Sequence, residues 1–144
     1  MDEAAKAVGI DLHLVEVATP NDFEAAFAAM TRQGICGLLV SFTPFLTTYH
    51  EQIAGLAAKY RFPAIAHRRV FAEQGGLMAY GWDPAELWRE VASYLERILH
   101  GAKPADLPVQ RPTKYQLIMN LKTAQALGLT ISPTLLFKAD EVIR

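Results

Sequence analysis

The stretch Gly75-Gly76-Leu77-Met78-Ala79-Tyr80-Gly81-Trp82-Asp83-Pro84 is where an alternation of strands and helices gives way to one long amphipathic helix. The glycine pair suits a turn that residues with side chains resist. Leu77 to Tyr80 reads as a short buried strand. Asp83 is the expected helix cap, Pro84 fits the first helical position, and Glu86 is expected to complete a capping box. A strand that ends in Tyr-Gly-Trp and passes straight into a helix makes a ligand-facing corner.

Upstream of this corner, short strands alternate with helices. Ala4 to Val8 reads as a helix end stopped by Gly9. Leu12-His13-Leu14-Val15-Glu16-Val17 alternates apolar and polar residues and is expected to be a strand. Asn21 and Glu24 frame a helix carrying Phe23, Ala26, Phe27 and Met30 on one face. Ile35 to Val40 has the continuous apolar pattern of a strand buried on both sides. A helix opens at Thr43-Pro44 or at Thr48 to Glu51, and Pro63-Ala64-Ile65-Ala66 is another short strand. This order predicts an α/β fold, a parallel sheet with helices on both faces and right-handed crossovers. Ligands in such sheets bind beyond the carboxyl ends of the strands. Here those ends are Glu16 to Thr19, Ser41 to Pro44, His67 to Arg69, and Tyr80 to Asp83.

Downstream, Leu87, Val91, Tyr94, Leu95 and Ile98 mark one face of a long helix stopped at Gly101. An irregular link follows over Lys103 to Pro108. Tyr115 to Met119 reads as a strand, Asn120 to Leu127 as a short helix stopped by Gly128, and a final helical turn or two follows Ser132-Pro133.

The chain has 144 residues, 51% of them hydrophobic and 20% charged, with a net charge of −1. That is one compact unit with a real core. No basic cluster is dense enough for a nucleic-acid surface. The single cysteine, Cys36, leaves no intrachain disulfide and is expected to be a buried, inert thiol. No apolar run approaches the ~20 residues that span a bilayer. Met1 to Lys6 is acidic and lacks a signal peptide's apolar stretch, so the reading frame as written is expected to be cytoplasmic.

Catalytic patterns are missing. His13, His50, His67 and His100 lack metal-ligand spacing, and there is no phosphate loop or nucleophile elbow. Glu16 is the lone acid within a predicted strand, so no acid–base pair forms. A non-enzymatic protein without a cofactor is expected. The strand ends offer binding chemistry instead. Ser41 and Thr43 supply hydroxyls, Phe42 and Phe45 aromatic faces, and Arg68 or Arg69 a fork for a carboxylate. Tyr80 and Trp82 can stack on a flat ligand. Each has an ordinary alternative: Thr43 as a plain helix cap, the aromatics as packing, the arginines as a solvated pair.

Several strings carry a resemblance. They are Phe27-Ala28-Ala29-Met30, the run Ile53 to Ile65, Arg69 with Phe71, Gly75-Gly76-Leu77-Met78-Ala79-Tyr80-Gly81, and Tyr94 with Ile98-Leu99. Further along come Gly101-Ala102-Lys103-Pro104-Ala105-Asp106-Leu107-Pro108, Pro112 to Tyr115, Asn120-Leu121-Lys122-Thr123-Ala124 and Ala126-Leu127-Gly128-Leu129. On these the sequence resembles, nearly end to end, the C-terminal half of ABC-transporter substrate-binding proteins of the tryptophan/tyrosine-uptake type, which have the type I periplasmic-binding-protein fold. It departs where the family commonly has an aromatic and a glycine (Ala66 and His67), an aromatic near Arg68, a serine (Ala79) and a proline (Trp82). These positions lie at the mouth of the expected cleft and bear on the solute rather than the fold.

The resemblance implies a solute-binding component of an uptake transporter. It would hold a small aromatic amino acid-like solute between two hinged lobes and deliver it to permease subunits in the membrane. The implied ligand-facing residues are Ser41, Phe42, Thr43, Arg68, Arg69, Tyr80 and Trp82. Residues 1–80 would form the second lobe. Residues 81–144 would cross the hinge and belong with a missing N-terminal lobe, leaving the face of Leu87, Val91, Tyr94, Leu95 and Ile98 exposed. The full-length family member would be periplasmic or lipid-anchored outside the cytoplasm. The alternative is a cytoplasmic ligand-sensing regulatory domain of the same fold. An α/β enzyme of flavodoxin-like shape would need a catalytic pair that the strand ends lack.

Overall fold

Strand β3 (Met78–Trp82) lies at the middle of a five-stranded sheet in the computed structural model, which describes residues 2–144. The other strands are β1 (Leu38–Leu39), β2 (Ala64–Ala66), β4 (Tyr115–Asn120) and β5 (Glu141–Ile143), and the spatial order is β1-β2-β3-β4-β5. Three of the four pairings are parallel; β3 and β4 are antiparallel, with Tyr80 opposite Leu117 and Trp82 opposite Tyr115. The α/β expectation holds, but the sheet is mixed. After β3 the chain leaves along the long helix α6 (Pro84–Leu99) and a link and comes back at the same end, so that Tyr115, the first residue of β4, stands opposite Trp82, the last of β3. A return from that end is antiparallel by geometry.

The remaining helices are α1 (Asp2–Ala7), α2 (Asp22–Arg32), α3 (Pro44–Thr48), α4 (His50–Lys59), α5 (Arg69–Glu73), α7 (Leu121–Leu127) and α8 (Pro133–Lys138). The core forms between α2, α4 and the sheet. Phe23, Phe27 and Met30 of α2 meet Ile53, Ala54 and Ala57 of α4, with Phe62 and Phe71 closing the cluster. Phe27 and Phe62 pack edge to face at 5.9 Å. Each buried Phe, Met or Ile side chain there contributes roughly 1.5–3 kcal/mol. Ala64 and Ala66 of β2 are small and fully buried, which lets helices approach the sheet closely.

The glycine turn and the Asn-Leu-Lys-Thr string fit together. Gly75 has φ +104°, a conformation that side chains rarely adopt, and a Cβ on Gly76 would stand 2.2 Å from the Phe71 ring. The buried Asn120 donates from Nδ2 to the Ala72 carbonyl at 2.8 Å and accepts at Oδ1 from the Thr123 amide at 3.1 Å. The Thr123 hydroxyl donates to the Gly75 carbonyl at 2.9 Å. One side chain thus caps α7 while its neighbour anchors the turn that opens β3.

Several expectations need correction. Leu12 to Val17 is not a strand: the segment is irregular and mostly exposed, and no backbone group of residues 11–17 has a hydrogen-bond partner among the described residues. Alternation alone does not make a strand when no neighbouring strand completes the ladder. Of Ile35 to Val40 only two residues pair, and Cys36 is exposed rather than buried. Asp83 does cap α6, accepting from the Ala85 amide at 2.9 Å, but the capping box is not completed. The Asp83 amide donates to the Lys114 carbonyl instead, and Glu86 pairs with Arg89. At α2, Asn21 makes no side-chain cap; Asp22 reaches back to the Thr19 amide at 2.7 Å. Strand β5 was not anticipated. The division at Tyr80 does not interrupt the sheet, because β4 and β5 extend the same sheet as β1 to β3. Among the described residues, no helix is long and apolar enough to cross a membrane.

Candidate functional site

Ser41, Phe42 and Thr43 follow β1, His67 and Arg68 follow β2, and Trp82 ends β3, so parallel pairing alone gathers them at one end of the sheet. Phe42 is 59% exposed, yet its ring meets His67 at 4.3 Å and Trp82 at 5.1 Å, both edge-on. His67 and Trp82 lie 5.6 Å apart at a shallow 33°. Three flat rings of low polarity therefore form a corner that can receive a fourth. Beside it runs a cleft of about 200 Å³ lined by His67, Arg68, Trp82 and Gln116, among others.

Behind the corner stands His50, 1% exposed, its ring 5.7 Å from His67 and 5.2 Å from Phe71. Among the described residues, neither nitrogen of His50 or of His67 has a hydrogen-bond partner. Burial, with smaller contributions from the His50 and Arg68 charges, pushes His67 down to about 4. Burial and then Arg68 also lower His50. Both rings are neutral at pH 7, so the corner presents an uncharged aromatic wall with Arg68 at its rim.

The expected residues separate into groups. Thr43 caps α3, accepting from the Leu46 amide at 3.1 Å, so its hydroxyl is already engaged. Phe45 stacks on Phe23 at 5.7 Å and is packing for α2. Ser41 and Arg68 are exposed at the strand ends, and no ion pair engages Arg68 among the described residues. Arg69 lines the same cleft, but its guanidinium donates from Nη2 to Glu141 at 2.7 Å and from Nε to Glu73 at 2.7 Å. The carboxylate it forks onto belongs to β5. Tyr80 is 54% exposed, stacks on Tyr115 at 5.6 Å and does not line that cleft. Sequence reasoning missed His50. The signal available was a histidine three residues before Ile53, on the inward face of a helix. No cluster of three or more metal-ligating side chains occurs among the described residues.

One family model matches all but the last residue of the chain. Residues 1–143 fit the model described as ABC transporter substrate binding protein. The chain belongs to that family. Comparison with curated proteins gives no match. Among solved structures, it is similar to a Streptococcus pneumonia ABC domain described as in complex with L-Trp. The TM-score is 0.88 at 25% identity, over 98% of this chain and 48% of that one. It is also similar to a conserved domain protein of Vibrio cholerae (TM-score 0.85, 23% identity, 98% of this chain, 47% of that one). A third similar structure is the ligand-free, open form of CD0873, a Clostridium difficile substrate binding protein with adhesive properties (TM-score 0.73, 20% identity, 99% of this chain, 47% of that one). This substrate-binding family member therefore spans about half the length of the solved chains it matches.

Proposed function

We propose that this chain supplies one wall of a two-lobed solute-binding protein of an ABC uptake system, and that the solute is an aromatic amino acid or a close analogue. The observation that carries this reading is the corner of Phe42, His67 and Trp82 with Arg68 at its rim. A neutral aromatic wall suits a flat ring, and a free guanidinium suits the carboxylate such a solute carries. The pneumococcal neighbour described with L-Trp supports the choice of probe. Within the proposal, Ser41 adds a hydrogen bond from the β1 end, Tyr80 and Thr43 contribute from the margin, and Arg69 holds the wall rather than the solute.

A cleft of about 200 Å³ lies below the ~300–1,000 Å³ of a complete small-molecule site, as one wall of a clamp should. The second wall would come from a further lobe, and α6 provides the face to meet it. No residue of α6 is buried; Trp88, Val91, Leu95 and Leu99 are all exposed. Hinge closure of the two lobes over the solute would create the form that a permease recognises. In this reading the protein works outside the cytoplasm, where uptake begins.

Calorimetric titration with L-tryptophan tests the reading. The chain alone should bind more weakly than about 1 mM, and the chain joined to a first lobe in the micromolar range. Micromolar binding by the chain alone, or none by the two-lobed protein to any aromatic amino acid, rejects it.

A further inference from the structure

We propose that Phe42 is a movable cover over a two-histidine recess, and that the recess takes the edge of an aromatic ring bearing an N–H or O–H group. This deepens the proposed function and rests on it, because it names the part of the solute that the corner reads. Three rings pack on His67: Phe42 at 4.3 Å, Trp82 at 5.6 Å and His50 at 5.7 Å. One of the three can leave without disturbing the core or the sheet. His50 is 1% exposed within α4, and Trp82 belongs to the β3 ladder, opposite Tyr115. Phe42 is 59% exposed, and no hydrogen bond among the described residues engages the backbone of Ser41 or Phe42. An exposed side chain on such a loop changes rotamer within nanoseconds.

Beneath Phe42 lies unspent hydrogen-bonding capacity. Both nitrogens of His50 and both of His67 are buried, and none has a partner among the described residues. Two neutral imidazoles bring two N–H donors and two acceptor nitrogens. Packing alone is served by an apolar ring, as at Phe71 beside His50. A buried polar group without a partner destabilises the state that contains it. A solute that supplies the partner recovers that loss, and one that cannot leaves it in place. The chemical class follows. An indole N–H donates to an imidazole acceptor; a phenol O–H donates to one imidazole and accepts from the other. A plain phenyl ring does neither. His67 also lines the cleft with Arg68 and Trp82, so a ring edge in the recess leaves a carboxylate at the exposed arginine.

The test starts with the 144-residue chain itself. The ring-nitrogen NMR shifts of His50 and His67 are followed at neutral pH while p-cresol or toluene is added to equal concentrations. p-Cresol should move the His67 nitrogens, and toluene should not. Phe42→Ala should lower the p-cresol concentration required by at least about threefold, since the recess is then open beforehand. Equal movement by both probes, no movement by either, or a Phe42→Ala chain that needs as much p-cresol or more overturns the inference. A titration of the two-lobed protein separates this inference from the reading beneath it. There L-tyrosine should bind at least about tenfold tighter than L-phenylalanine, and His67→Phe should bring the two within about threefold. A preference that survives His67→Phe overturns the inference and leaves the proposed function standing. No binding of any aromatic amino acid removes the proposed function and this inference with it. If His67→Phe does not fold, the nitrogen shifts of the Phe42→Ala chain decide.

Discussion

Gly81 faces the backbone of His67 so closely that a Cβ on Gly81 would stand 2.0 Å from the His67 carbonyl oxygen. That approach sets the distance between the ends of β2 and β3, and so the seat of the His67 and Trp82 rings. Gly81 itself is buried, with no side chain in the wall it shapes.

Gly81→Ala therefore forces the backbone of His67 to move, since a carbonyl cannot rotate away as a flexible side chain can. The expected loss is about 1–3 kcal/mol of stability, read from the midpoint of a urea transition at constant slope. Gly55, where an added Cβ would meet nothing within 4 Å, is the matched control. Gly55→Ala should be neutral or stabilise by up to about 1 kcal/mol.

His67 falls to about 4 when folded, below the ordinary value of 6.5, and His50 is lowered in the same direction. The unfolded chain then binds more protons than the folded one between these values, so stability rises with pH there. Full stability should be present above pH 6.5 and be lost progressively down to about pH 4. Urea midpoints between pH 4 and 7.5 give the slope. His50→Leu should flatten it and cost little at pH 7, because it replaces a buried ring with unpartnered nitrogens by an apolar side chain. An unchanged slope in that variant would assign the acid sensitivity to other groups.

Arg68 and Arg69 are adjacent in sequence and opposite in role. Arg69→Met removes the fork onto Glu141 and the contact with Glu73, both on the surface, and should cost about 1 kcal/mol of stability. Arg68→Met should leave the urea midpoint within about 0.5 kcal/mol. In the two-lobed protein the same change should weaken L-tryptophan binding at least about tenfold. Measuring both quantities on both variants separates the two roles.

The α6 face should drive self-association when nothing covers it. Val91 and Leu95 are 48% and 56% exposed on the same side of the helix. Val91→Glu with Leu95→Lys should shift sedimentation toward monomer without lowering the thermal midpoint, because no residue of α6 contributes to the core.

What could be read in advance followed local chemistry. The α2 stripe of Phe23, Phe27 and Met30, the Asp83-Pro84 start of α6 and the Gly128 stop at φ +73° are each written within one or two turns of chain. Signals of that range do not depend on what lies across the sheet. Ser41, Phe42 and Trp82 were legible as site candidates because strand ends of an α/β order converge at one edge.

The sequence by itself determined the α/β class, the family, most of the helix starts and stops, and which strand ends gather. Long-range pairing decided the rest. Leu12 to Val17 carries a strand's pattern and remains unpaired, since a strand exists only through a neighbour's hydrogen bonds. Arg69 could have met a solute until Glu141, 72 residues later, took its guanidinium. The spacing from Ile53 put His50 on the inward face of α4, but not against His67 and Phe71, which lie 17 and 21 positions further along the chain. Those choices depend on which distant segments come to share a surface, and only the folded arrangement fixes that.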